Sequence, residues 1–399
     1  MWERLFDKFM HTLVREGELQ VTLPSGATRR YGDGKGMSAA VSIHDDAQVR
    51  RLIQRPELAL GEGYMDQRLT VAQDDLEGFL RLMARNVMRY GRGRLNVAAS
   101  LPRRALRYLE QYNPAGIARR NVAHHYDLSN DFYRLMLDRD MQYSCAYFAN
   151  PAMSLEEAQE AKKALIARKL RIEPGMRVLD IGCGWGGMAL SLARDHGARV
   201  TGITLSEKQL EVARARAEEE GLAGQVEFRL QDYRDLDERF DRVVSVGMLE
   251  HVGVPHMRQY FSKVNDVLEP GGVALIHTIG RSTPPSATSP WLRKYIFPGG
   301  YIPAVSEVMP AIERAGLYTA DLEVLKGEHY ARTLAEWRAR FTANRDVIRT
   351  MFDERFRRMW RFYLVLSETG FRELGLVVHH YQLTREADAT PLTRDYLLG

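Results

Sequence analysis

Two ionisable residues stand at places where chemistry is expected. Glu250 lies in Gly247-Met-Leu-Glu-His-Val-Gly253, just after the apolar run Arg242–Val246, and His277 lies in the run Val273–Thr278. Both runs are short, apolar and bounded by glycine, the pattern of strands buried in a parallel sheet. In an open α/β sheet the carboxyl ends of the strands face the ligand crevice. A carboxyl group and an imidazole at adjacent strand ends are therefore expected to have a role in the site at that crevice. His251 should point away from Glu250 and is expected to be structural.

A third feature supplies a ligand-binding turn. Val178-Leu-Asp-Ile-Gly-Cys-Gly-Trp-Gly-Gly187 runs from an apolar strand into glycines, and a helix pattern follows with Met188, Leu190, Leu192 and Ala193. Gly182, Gly184 and Gly186 let the backbone turn sharply and approach a ligand with no Cβ in the way. A turn from strand to helix N-terminus is a nucleotide-binding crevice. A P-loop is excluded, because no Gly-Lys-Ser/Thr closes the turn. A dinucleotide fold wants an acid at the end of its second strand. Here that strand ends Gly202-Ile-Thr-Leu-Ser206, with Thr204, Leu205, Ser206 and then Gln209 in place of an acid. Asp180, ahead of the glycines, could orient the loop or meet a cationic ligand. Asp232 and Tyr233 follow the third strand, where an acid could bind an adenine amino group and an aromatic could stack on it. A ligand with an amine and a sulfonium but no phosphate suits this set, so S-adenosylmethionine is preferred over a dinucleotide.

The elements that must position these residues alternate. Strands are expected at Arg177–Ile181, Arg199–Thr204, Val226–Leu230, Arg242–Val246 and Val273–Thr278, with helices through Arg194 and over Glu207–Glu220. Tyr318–Leu325 and Leu376–Thr384 would be a sixth and seventh strand, and helices over Leu334–Arg345 and Phe352–Glu368 would complete the sheet. This spacing implies an α/β fold with right-handed crossovers, a Rossmann-like seven-stranded sheet. Ahead of it, an amphipathic helix over Met1–Val14, short strands, glycine punctuation in Leu60–Asp66 and a helix over Asp74–Tyr90 suggest a smaller α+β domain. The expected division is residues 1–105 and 106–399.

Composition limits the rest. The chain has 399 residues, 45% hydrophobic and 27% charged, ordinary for a globular protein of two domains. No stretch approaches the roughly 18 apolar residues that span a bilayer. The charged N-terminus does not read as a secretory signal. Two cysteines, Cys145 and Cys183, argue against a disulfide framework and fit a cytoplasmic location. No metal is expected, since neither His124-His125 nor His379-His380 has a helical ligand spacing. Net charge is only +4, yet ten arginines stand between Arg81 and Arg120 against one acid, Glu110. Such a stretch favours an anionic surface, lipid or nucleic acid. Amino-methylating nucleic-acid enzymes carry Asn/Asp-Pro-Pro-aromatic after the fourth strand, and Met-Leu-Glu-His stands there instead; no nucleic-acid partner is expected.

Together these motifs resemble the cyclopropane-fatty-acyl-phospholipid synthases, the S-adenosylmethionine-dependent mycolic acid cyclopropane synthase family. The resemblance rests on Leu179–Gly186, Gly202–Ser206 with Gln209, Leu249–Gly253 and His277–Gly280. It extends to Tyr143-Ser-Cys-Ala-Tyr-Phe148, Ala158-Gln159 with Lys162, His124–Asp131, Tyr295–Pro303 and His329–Leu334, and more loosely to Gly63–Asp66. It implies transfer of a methylene from S-adenosylmethionine to a cis double bond of a phospholipid acyl chain, through a carbocation and a bound bicarbonate base. It assigns that anion to Cys145, Glu250, His277, Ile279 and Tyr330. It assigns the methyl donor to Tyr143, Ser144, Gly182, Gly184, Thr204, Ser206 and Gln209, with Asp232 and Tyr233 at the adenine. Asp180, Gly186 and Leu205 join this cofactor set. An anion beside Glu250 would be repelled unless Glu250 or the bicarbonate carries a proton, or His277 is charged. The expected partner is unsaturated phospholipid at the inner face of a membrane, met by a peripheral cytoplasmic homodimer. A related lipid methyltransferase giving a methyl- or methylene-branched chain is the alternative.

Overall fold

The computed structural model describes residues 1–90, 111 and 128–397. They form two compact units. The first comprises Met1–Arg107, Ala287–Pro298 and Leu334–Leu376. Its four-stranded sheet has the order β2-β1-β3-β4, with β1 Glu18–Thr22, β2 Thr28–Gly32, β3 Ser38–Ile43 and β4 Leu69–Val71. Period-2 alternation puts Leu19, Val21, Tyr31, Val41 and Ile43 inside. The amphipathic helix Trp2–Leu13 buries Phe6 and Met10 in contact with the helix Asp46–Gln54, so its stripe serves its own unit.

Two expectations are corrected here. The glycine-punctuated segment Leu60–Asp66 is helical as far as Met65, within the helix Pro56–Met65, and Asp66 is its C-cap. Its glycines permit close packing: a Cβ on Gly61 would lie 2.4 Å from the Trp291 indole, and one on Gly63 2.1 Å from the Gln48 amide. Residues 287–298 and 334–376, expected in the catalytic domain, also belong to this first unit. Trp291 packs on Phe362 at 4.7 Å, and Glu373 pairs with Arg81 and Arg85 at 3.0 and 2.8 Å. An apolar helix face shows that it must be buried, but not against which element. Those ion pairs also leave Arg81 and Arg85 engaged internally, and Arg89 pairs with Glu16. Arg92, Arg94, Arg103, Arg104, Arg107, Arg119 and Arg120 lie outside the described residues, as do His124 and His125.

The second unit comprises Tyr108–Ser286, Gly299–Thr333 and Val377–Gly399. Its seven-stranded mixed sheet has the order β10-β11-β9-β8-β5-β6-β7. The strands are β5 Arg177–Ile181, β6 Arg199–Thr204, β7 Val226–Leu230, β8 Phe240–Val246, β9 Leu268–Arg281, β10 Tyr318–Leu325 and β11 Leu376–Thr384. β5 to β9 pair in parallel, and β10 runs antiparallel to β11. β9 starts five residues earlier than expected, because Leu268 pairs with Phe240 and a register shift before Arg242 takes up Pro270-Gly271-Gly272. One apolar cluster joins Leu179, Ile181, Val243 and Ile276 to Tyr260, Phe261 and Val264. The other joins Val178, Val200, Val244 and Leu275 to Ile166, Leu190 and Ala213. Both faces are thus covered by helices, as a parallel sheet requires. The strand order reverses between β5 and β8, and a ligand crevice opens at such a switch point.

Candidate active site

The glycine turn leaves β5 with φ of +82° at Gly182, +57° at Gly184 and +86° at Gly186, a region that side chains with a Cβ avoid. The N–H groups of Gly182 and Cys183 both donate to the Ile203 carbonyl, at 2.9 and 3.0 Å, and tie the turn to the end of β6. Gly186 caps the helix Gly187–His196. At the end of β6, Ser206 caps the helix Glu207–Glu219 by accepting from the Gln209 N–H at 3.3 Å. The Thr204 hydroxyl donates to Gln209 Oε1 at 3.0 Å.

These ends enclose a cavity of about 100 Å³. Gly182, Gly184, Thr204, Leu205, Gln209 and Tyr233 line it, six of the twelve residues expected at the methyl donor. Asp180, Gly186 and Ser206 stand behind that lining, in the strand and the two helix starts. Asp232 is not in the lining itself; its carboxylate accepts from the guanidinium of Arg234, a lining residue, through two 2.9 Å hydrogen bonds. His251 also lines the cavity, against expectation. It sits in the 3-10 turn Leu249–His251, where strand alternation no longer applies, and burial pushes it down to about 4. Gln231, Met248 and His256 are further lining residues that no sequence signal singled out.

Tyr143 and Ser144 are absent from this lining. They belong to a loop held by the helix Leu155–Leu170. Gln159 donates to the carbonyls of Gln142 and Ser144 at 3.3 and 3.0 Å. The buried Lys162 ammonium donates to Gln142 Oε1 at 2.6 Å and to the Ser144 hydroxyl at 2.9 Å. Burial pulls Lys162 down to about 8. Its charge reaches Asp180, Cys145 and His277. Asp180 is itself buried, with Oδ2 lacking any hydrogen-bond partner among the described residues, and burial pushes it up to about 7.

The five residues assigned to an anion fall into two groups, neither of which is in the lining of that cavity. Glu250 Oε1 accepts from the Ile279 N–H at 2.6 Å, and His277 lies two residues before Ile279 on β9. The Thr278 hydroxyl lies near the carboxyl but donates to the Ile279 carbonyl at 3.1 Å. Glu250 Oε2 is buried with no hydrogen-bond partner among the described residues. Burial pushes Glu250 up to about 7 and His277 down to about 3. The second group joins Cys145 to the segment of Tyr330. The Ala146 N–H donates to the Thr333 hydroxyl at 3.1 Å, and the Phe148 N–H to His329 Nδ1 at 3.2 Å. Cys145 is buried, its thiol donates to the Ala146 carbonyl at 3.3 Å, and burial holds it protonated.

The sheet order, the glycine turn and the cavity at the switch point define a class I S-adenosylmethionine-dependent methyltransferase. The donor set fits that cofactor: two glycines that present no side chain, the Thr204 and Gln209 polar groups, and an unpaired buried carboxyl oxygen behind the turn suited to a cationic ligand. A family model described as mycolic acid cyclopropane synthetase matches residues 116–381, and a domain of unknown function (DUF7884) matches residues 5–88. The chain is 40% identical over 337 residues to the cyclopropane-fatty-acyl-phospholipid synthase of Escherichia coli (strain K12), covering 84% of this chain and 85% of that protein. It is 36% identical over 386 residues to the tuberculostearic acid methyltransferase UfaA1 of Mycobacterium tuberculosis, covering 89% and 87%. The solved structure of mycolic acid cyclopropane synthase CmaA1 complexed with SAH and CTAB matches with a TM-score of 0.63 at 32% identity, covering 66% of this chain and 97% of that one. The chain belongs to the mycolic acid cyclopropane synthetase family.

Proposed function

We propose that the protein adds a methylene from S-adenosylmethionine across a cis double bond of a phospholipid acyl chain and closes a cyclopropane ring, with bicarbonate as the base. The observation that carries this reading is the buried cluster of Glu250, just after β8, with His277 and Ile279 on β9, in which burial raises the acid to about 7 and disfavours the charged imidazole. An alkene is a poor nucleophile. When bound, S-adenosylmethionine supplies a sulfonium-activated methyl group. Methyl transfer leaves a cation on the acyl chain, and ring closure then needs a proton removed from the new methyl.

The protein's part is to exclude water, which would trap the cation, and to hold an anion close without repelling it. Burial of Glu250, His277 and Cys145 supplies the first. For the second, His277 is too hard to charge, whereas Glu250 takes up a proton near pH 7. A protonated Glu250 keeps Oε1 as acceptor for Ile279 and offers Oε2–H to the anion, using the oxygen that otherwise has no partner. Cys145 would add a thiol donor by turning its proton from the Ala146 carbonyl, and Tyr330 a phenol. When bound, bicarbonate supplies the basic oxygen. Lys162 pins the Tyr143–Ser144 loop for the methyl donor.

A second reading is supported by the match to the Mycobacterium tuberculosis methyltransferase: methyl transfer without ring closure, leaving a branched chain. The deciding experiment incubates the protein with phospholipid bearing cis-monounsaturated chains and trideuteromethyl S-adenosylmethionine. A ring methylene carrying two deuterons, with the vinyl protons lost from the released fatty acid, supports ring closure; a retained trideuteromethyl branch supports the second reading.

No helix among the described residues is long and apolar enough to cross a membrane. We propose that the protein meets its lipid as a peripheral homodimer at the inner face of the membrane, through the arginine-rich stretch beyond Tyr90. Sedimentation at micromolar concentration tests the dimer, which a monomer would contradict.

A further inference from the structure

Behind His277 lies a line of buried polar groups for which ring closure has no direct use. His277 Nδ1 is 2.7 Å from His380 Nε2, and His380 Nδ1 is 3.0 Å from Lys169 Nζ. Lys169 pairs in turn with Glu323, whose side chain is 30% exposed. His277, His380 and Lys169 are each no more than 2% exposed. The line crosses four elements. Lys169 lies near the end of the helix Leu155–Leu170, Glu323 is on β10, His380 on β11 and His277 on β9, and β10, β11 and β9 are neighbours in the sheet.

The chemistry of the end group gives this line a direction. An ammonium has three donors and no acceptor; burial lowers Lys169 below the usual lysine range, and the ion pair with the Glu323 carboxylate opposes that lowering and favours the charged form. His380 Nδ1 must therefore accept. The proton of a neutral His380 ring then sits on Nε2 and is donated to His277 Nδ1, which must accept as well. That leaves the His277 ring proton on Nε2. Burial and the charges of Lys162 and Lys169 disfavour a second proton on either ring.

We propose that Lys169, acting through His380, is a positioning residue that locks His277 as an Nε2–H donor toward the anion and denies it a free lone pair. His277 is then an anion holder and not the base that removes the methyl proton. The proposal rests on the reading of His277 as a residue of the anion site.

The test is the tautomer of His277 in the whole protein labelled with 15N-histidine, read from long-range 15N–1H correlations and assigned with His380 and His277 variants. Neutral Nε2–H rings at both positions are expected in the unsubstituted protein. An Nδ1–H tautomer or an imidazolium at His277 overturns the proposal, and this readout needs no variant to fold. With Lys169→Met, His277 should lose its single tautomer. kcat should fall about ten- to a hundredfold, the loss of one charge-assisted hydrogen bond, while KM for S-adenosylmethionine stays unchanged. Lys169→Arg should restore both readouts. His380→Gln keeps the polarity, with its carbonyl accepting from Lys169 and its amide donating to His277, and should outperform His380→Leu at least fivefold in kcat. An unchanged His277 tautomer in Lys169→Met, or equal kcat in His380→Gln and His380→Leu, overturns the lock. A branched product with the tautomer intact would instead refute ring closure alone.

Discussion

Glu250 holds the electrostatic balance of the site. Its carboxyl group has one oxygen on the Ile279 N–H and the other without a partner, and burial raises it to about 7. The protonated form is the one that tolerates an anion, so at fixed bicarbonate the rate should hold on the acid side and fall as pH rises through about 7. Glu250→Gln reproduces the acceptor and donor of the neutral acid. It should keep activity within about tenfold and lose that alkaline limb. Glu250→Ala should lose about 10²- to 10⁴-fold. Calorimetry should find S-adenosylmethionine affinity unchanged in both variants; a Glu250→Gln enzyme with the limb intact would assign the titration elsewhere. Glu250 and His277 could be singled out in the sequence because the apolar runs of β8 and β9 lead into them, although Glu250 stands in the turn after β8 and His277 inside β9, which runs on to Arg281. Cys145 and Tyr330 were reachable only by resemblance, being on a loop and a helix whose spacing encodes no partner. Lys169 and His380 gave no usable signal: they meet through the order of β10, β11 and β9, which local pattern does not specify.

At the scale of elements, the turn from β5 into its helix depends on backbone that only glycine adopts easily. A Cβ on Gly186 would stand 2.7 Å from the Phe228 ring and 3.1 Å from the Ala213 Cβ, at a φ of +86°. Gly186→Ala should therefore lower stability by about 2–5 kcal/mol, combining left-handed strain with overpacking. Thermal unfolding measures it, and a melting temperature within a degree of the parent would contradict the packing described. The same elements show what sequence pattern can carry. Five of seven strands of the large sheet have the boundaries expected from sequence pattern; for β5 and β6 the reason is that buried parallel strands are apolar nearly throughout. The start of β9 was missed because Pro270-Gly271-Gly272 reads as a turn, while pairing of Leu268 with Phe240 extends the strand through it. Pro56–Met65 was missed because its glycines signal a loop locally, whereas their need arises from Trp291 and Gln48, far away in sequence or on another helix.

At the scale of the whole molecule, two family models match separate stretches, and the second unit contains every residue assigned to the chemistry. The charge that would bring such an enzyme to a membrane is concentrated beyond Tyr90, since Arg81, Arg85 and Arg89 already have acidic partners. Replacing Arg103, Arg104 and Arg107 with Gln should weaken binding to phosphatidylglycerol vesicles at low salt and flatten its salt dependence. Vesicle cosedimentation checks this, and unchanged binding would remove that stretch from the lipid contact. The central claim is that a buried, nearly uncharged acid–imidazole site completes a ring on an acyl chain. It is tested most directly by deuterium and proton NMR of the fatty acid released after reaction with cis-monounsaturated phospholipid and trideuteromethyl S-adenosylmethionine. The prediction is a cyclopropane whose ring methylene retains two deuterons, with the vinyl protons gone. A branched product carrying all three deuterons, or one with an exocyclic methylene, would contradict it.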